Sequence, residues 1–98
     1  MFDIYKYKES IDVICRELSL RRLDLVGSAS RDDFSTKSDI DVLVTFKGDD
    51  SLFKRYFALK ERLEEIFDRP VDVIEERAIR NPFIKKALEK DRIRIYGT

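Results

Sequence analysis

The stretch Val26-Gly27-Ser28-Ala29-Ser30, followed after the Gly-Ser pair and ten further residues by Asp39-Ile40-Asp41-Val42-Leu43-Val44-Thr45-Phe46, decides how the chain is read. Its second half alternates. Successive strand side chains point to opposite faces, so Asp39 and Asp41 share one face while Ile40, Val42, Val44 and Phe46 supply the buried one. Two like charges roughly 5 Å apart repel by about 3 kcal/mol at an effective dielectric of 20, so a positive group belongs between them. Oxygen ligands of this kind suit Mg²⁺, which bridges acidic side chains to substrate phosphates.

The first half supplies a turn. A glycine leaving the strand Leu23-Asp24-Leu25-Val26 can adopt a positive φ and let the backbone approach a ligand, and Ser28 adds a hydroxyl and an N–H. With the chain turning helical over Ala29 to Asp33, free N–H groups and the positive helix end would face the same spot. A triphosphate would fit there.

Composition narrows the chemistry. Histidine is absent, which removes serine–histidine triads, imidazole bases and histidine-ligated zinc. Carboxylates and metal must carry any catalysis. The 20 basic and 20 acidic residues cancel, so no general affinity for nucleic acid is expected. Lys85, Lys86, Lys90, Arg92 and Arg94 could form a local basic face or be solvated surface charges. Cys15 is the only cysteine, flanked at helical spacing by Ile11, Ile14 and Leu18, and reads as a buried hydrophobe in a reducing compartment. No signal-peptide pattern or membrane-length apolar run is apparent, so a cytoplasmic location and no membrane association are expected.

With 98 residues and no linker or repeat, residues 1–98 are expected to form one domain. Ile4, Tyr7, Ile11, Ile14, Cys15 and Leu18 mark an amphipathic helix before the first strand. A second helix is expected across Leu52 to Phe67, burying Leu52, Tyr56, Leu59, Leu63 and Ile66 or Phe67. Asn81 as cap and Pro82 at the first position start a third, through Glu89, and the chain then ends in strand. This order predicts an α+β fold, a small mixed sheet with helices on one face and the acids on the other.

Gly-Ser, ten residues and Asp-x-Asp resemble the signature of DNA polymerase β-type nucleotidyltransferases, in particular the minimal nucleotidyltransferases, or MNT proteins. Ser38-Asp39-Ile40-Asp41-Val42-Leu43-Val44 matches the second part of the family phrase throughout. In the first part Arg31 sits where the family has arginine, but Ser30 replaces the usual alanine and Asp32 the usual glycine. Asp32 adds negative charge near the expected triphosphate. The resemblance implies the polymerase β-type nucleotidyltransferase fold, nucleotide contacts at Gly27, Ser28, Arg31 and Ser38, and a third carboxylate on an adjacent strand. Asp72 in Pro70-Val71-Asp72-Val73-Ile74 supplies that acid, which would complete the metal site with Asp39 and Asp41 and act as general base. It also implies ATP as substrate, two Mg²⁺ ions, and for many members an antitoxin role in which AMP is transferred to a tyrosine of a partner HEPN toxin. The resemblance extends through Asn81-Pro82-Phe83-Ile84-Lys85-Lys86-Ala87-Leu88 and covers nearly the whole chain. Two alternatives stay open: an inactive antitoxin that neutralises by binding, and a small-molecule transferase of aminoglycoside type. Base preference and self-association stay open as well.

Overall fold

A computed structural model describes residues 2–31 and 39–97. A 3-10 turn, Ile4–Tyr7, opens on the Asp3 carboxylate, which accepts from the Tyr5 N–H, and runs into helix α1, Lys8–Glu17. Strand β1 spans Leu20–Val26, β2 Ile40–Phe46, helix α2 Leu52–Phe67, β3 Val71–Glu75, α3 Pro82–Lys90 and β4 Ile93–Gly97. The sheet order is β3-β2-β1-β4. β1 runs antiparallel to both neighbours, whereas β2 and β3 are parallel, as a helix crossover requires.

Alternation sorts the sheet into two faces. Leu23 and Leu25 of β1, Ile40, Val42, Val44 and Phe46 of β2, Val71 and Val73 of β3 and Ile95 of β4 form one buried cluster with Ile11, Ile14 and Cys15 of α1 and Leu59, Leu63 and Phe67 of α2. Burial of about 2 kcal/mol per large aliphatic side chain makes this cluster the main source of stability. Burial also pushes the Cys15 thiol up to about 12, with Asp12 adding to the rise and Lys8 opposing it. It is a core residue.

Arg55 ties two loops together beneath the sheet's lower end. Its guanidinium donates to the carbonyls of Leu18, Ser19, Lys47 and Asp50 and lies 4.8 Å from the centre of the Phe46 ring. Ser19 and Ser51 at these loops both take left-handed backbone, with φ of 56° and 53°. One planar fork thus closes both connections, while α2 starts without a side-chain cap.

Two expectations need correction. On α2 the fully buried residues are Leu59, Leu63 and Phe67, while Leu52, Tyr56 and Ile66 pack at the rim, because the helix meets the sheet mainly in its second half. α3 begins as its cap predicts, with the Asn81 side chain accepting from the Phe83 N–H, yet it buries no residue. Phe83 is 82% exposed. The helix-covered face is occupied by α1 and α2, so the third helix stands outside the core. Among the described residues no helix is long and apolar enough to cross a membrane.

Candidate active site

The upper end of the open face is built where β1 stops. Val26 pairs with Asp41, which places the next residue, Gly27, beside the Asp41 side chain. Gly27 has a φ of 70°, and a Cβ built on it would overlap the Asp41 carboxylate, with Asp41 Cγ only 3.2 Å away. Glycine is required twice over, by backbone conformation and by space. The following residues close on themselves: the Ser30 hydroxyl donates to the Gly27 carbonyl at 2.7 Å and the Arg31 N–H to the Ser28 carbonyl at 3.0 Å. The Ser28 hydroxyl makes no hydrogen bond among the described residues.

Over Ala29 to Arg31 this turn differs from the helix expected across Ala29 to Asp33, of which Asp33 lies outside the described residues. Gly27–Ser30 form a single 3-10 turn, and Arg31 is already extended at φ −120° and ψ 173°. The Ser30 hydroxyl competes for the Gly27 carbonyl, a local bond that favours turns over helix propagation. Asp32 and Ser38 lie outside the described residues.

The acids come from two parallel strands. Asp41 of β2 and Asp72 of β3 are register partners, one strand spacing apart, with their side chains on the face opposite Val42 and Val73. β2 begins at Ile40, so Asp39 sits just ahead of the strand and is exposed, whereas Asp41 is half-buried. Burial raises the Asp41 carboxyl above the ordinary carboxylate range; Asp72 and then Asp39 raise it further, and Arg31 opposes them. Asp72 is therefore the closer electrostatic neighbour of Asp41. The sequence draws the eye to the Asp39–Asp41 pair instead. Only pairing of β2 with β3 creates the stronger repulsion.

Among the described residues no three acidic side chains close into a ready metal-binding group. The pair Asp41 and Asp72, with Asp39 nearby, still fits a hard divalent cation. Its donors are all carboxylate oxygens, burial and then the neighbouring acids disfavour the Asp41 charge, and Mg²⁺ commonly takes one or two carboxylates and completes its shell with water and substrate phosphate.

Lower on the same face lies a feature the motif reading passed over. Asp24 is fully buried, although it shares the open face with Asp41. The Nε groups of Arg92 and Arg94 both donate to its carboxylate, and Arg92 also reaches Glu76 and Glu89. Glu76 extends the chain of charges to Arg22 at 3.3 Å. Burial alone would lower the Arg92 guanidinium, but Asp24 and Glu76 more than reverse this and raise it. Arg92 and Arg94 are thus absorbed by an internal network and do not form a basic face with Lys85, Lys86 and Lys90. The available signal was an aspartate between Leu23 and Leu25, matched by Arg-x-Arg at the entry to the last strand.

The Nucleotidyltransferase domain family model matches residues 8–95. The chain belongs to the nucleotidyltransferase-domain family. A curated relative from Methanocaldococcus jannaschii, named "Putative protein adenylyltransferase MJ1379", is 37% identical over 75 residues, 76% of this chain and 75% of that protein. Among solved structures, a toxin–antitoxin with AMP-PNP matches with a TM-score of 0.75 at 22% identity, covering 93% of this chain and 73% of that one. A tri-AMPylated Shewanella oneidensis HEPN toxin in complex with MNT antitoxin matches with a TM-score of 0.69 at 20% identity, covering 96% and 72%. These structures share the fold of this nucleotidyltransferase, a four-stranded mixed sheet whose open face carries Asp41 and Asp72 beside the Gly27 turn.

Proposed function

We propose that this nucleotidyltransferase is a protein adenylyltransferase that uses Mg²⁺ and ATP to place AMP on a tyrosine hydroxyl of a HEPN-type toxin. The observation that carries the reading is the register pair Asp41–Asp72 beside Gly27 on an open sheet face. The curated relative's name and the HEPN-bound neighbour support the acceptor class.

In this reading Asp39, Asp41 and Asp72 hold two divalent cations, and Gly27, Ser28, Arg31 and Ser38 contact the phosphates. Bound cations would offset phosphate charge and acidify the acceptor hydroxyl. The chain's own groups do the rest. Gly27 keeps the backbone close enough for the turn and Asp41 to meet one ligand, and the unoccupied Ser28 hydroxyl can donate to a phosphate oxygen. Asp72, exposed at the outer strand, takes the acceptor's proton as its oxygen attacks the α-phosphorus and the bond to the pyrophosphate leaving group breaks. An open face of this kind gains orientation and water exclusion from the partner's surface.

Co-expression with the toxin partner, followed by intact mass spectrometry of that partner, tests the reading. AMP-sized additions that vanish in Asp41→Asn and Asp72→Asn are expected. An unmodified but neutralised partner would instead establish neutralisation by binding.

A further inference from the structure

We propose that a second anion site, distinct from the acid face, lies at the opposite end of the sheet and binds an oligophosphate. Asp41 and Val26 mark one end of the β1–β2 ladder; Leu20 and Phe46 mark the other, where β4 also ends at Gly97. There a concavity of about 640 Å³ is lined by Lys8, Asp12, Arg16, Arg21, Lys47 and Tyr96. Leu20 and Gly97 complete the lining, so four of its eight residues are cations.

Their convergence sets this place apart. Lys8 is satisfied by Asp12 at 2.8 Å and by the Ile95 carbonyl at 2.7 Å, which also consumes the cavity's one acid. Arg16, Arg21 and Lys47 hold no side-chain partner among the described residues. Arg22, Arg62, Arg77, Arg92 and Arg94 each face a carboxylate; Lys54, Arg80, Lys85, Lys86 and Lys90 do not among the described residues, but of the unpaired cations only Arg16, Arg21 and Lys47 share the lining of this concavity. In a chain with as many acids as bases, three unpaired cations around one concavity leave a local positive field that an anion relieves.

The backbone carrying these cations is held in place. The Lys47 N–H donates to the Ser19 carbonyl at 2.9 Å, and Arg55 binds the carbonyls of both Ser19 and Lys47. Gly97, at φ 91°, lets β4 press against the Arg21 carbonyl, where a Cβ would overlap it. Arg16 stands in the last turn of α1, two turns along the same helix face from Lys8. Guanidinium forks match phosphate oxygens in pairs, and the space exceeds what one phosphate needs. The fit is a run of phosphoryl groups, free or as the tail of a nucleotide.

Titration calorimetry with sodium triphosphate in EDTA at low salt tests this, since without divalent cations the acid face repels the ligand. Wild type is expected to bind the triphosphate. Arg16→Gln and Arg21→Gln should each weaken binding about tenfold, and added salt should weaken all of it. ATP binding as well as triphosphate would assign the site to nucleotide tails, and triphosphate alone to inorganic chains. No binding of triphosphate, affinity unchanged in an Arg16→Gln/Arg21→Gln/Lys47→Gln variant of native melting temperature, or binding confined to single-stranded RNA would each overturn the proposal.

Discussion

Gly27 and Asp41 lie so close that one methyl group on the glycine would occupy the space of the aspartate carboxylate. The turn and the acid are therefore a single steric unit joined through the Val26–Asp41 ladder pair. Gly27→Ala must either distort the turn or push Asp41 away from Asp72. A left-handed alanine costs about 1–2 kcal/mol in stability, while displacement of a reacting group by an ångström costs about 100-fold in rate. Denaturant unfolding and labelled-nucleotide incorporation should show this disproportion; full activity in Gly27→Ala would sever the turn from the site.

Asp41→Asn should raise the melting temperature at neutral pH. Its carboxyl is raised in the folded state, by burial first and then by Asp72 and Asp39, so the folded chain holds the proton more tightly than the unfolded chain. The destabilisation is thus absent below the ordinary aspartate range, grows as pH rises through the folded value and persists above it. The variant's advantage should fade on acidification towards pH 3.8, the ordinary value for this carboxyl. Thermal melts across pH read this directly, and a pH-independent difference would contradict it.

Asp24→Asn leaves two guanidiniums on the sheet without their shared carboxylate. Removing one partner of a buried ion pair typically costs about 3–5 kcal/mol. Urea unfolding should therefore place this variant among the least stable single substitutions on the open face, well below Asp41→Asn. A cost under about 1 kcal/mol would mean that water replaces the carboxylate at no penalty.

Arg55→Lys should fail to rescue what Arg55→Ala loses. Four carbonyls on two loops need a planar fork, and a single ammonium cannot span them. With charged hydrogen bonds worth roughly 1.5–3 kcal/mol when buried and less here, a loss of about 2–3 kcal/mol is expected for either variant. Hydrogen exchange at Lys47, whose N–H bonds Ser19, should accelerate in both.

The residues with strong local signals were readable in one dimension. Alternation over Ile40 to Phe46 and Val71 to Val73 identified the buried faces, and the Asn81-Pro82 pair located the start of α3. Leu52 to Phe67 matches α2 end to end because its apolar spacing persists over 16 residues. Gly27 was legible as a turn residue. Its collision with Asp41 was not, since that depends on how β1 and β2 are laid side by side.

What the sequence by itself determined is the alternation and spacing that assign each element its inner face, together with the acids available for chemistry. Tertiary structure alone decided which acids meet. Asp41 and Asp72 are 31 positions apart by number, and only the parallel register of β2 and β3 makes them neighbours. It also turned Arg92 and Arg94 inward onto Asp24, where the sequence left open a basic face or solvated charge. Local patterns encode which way a side chain points along its own strand, whereas charge pairing depends on the strand beside it, and that neighbour is chosen by burial of the whole sheet.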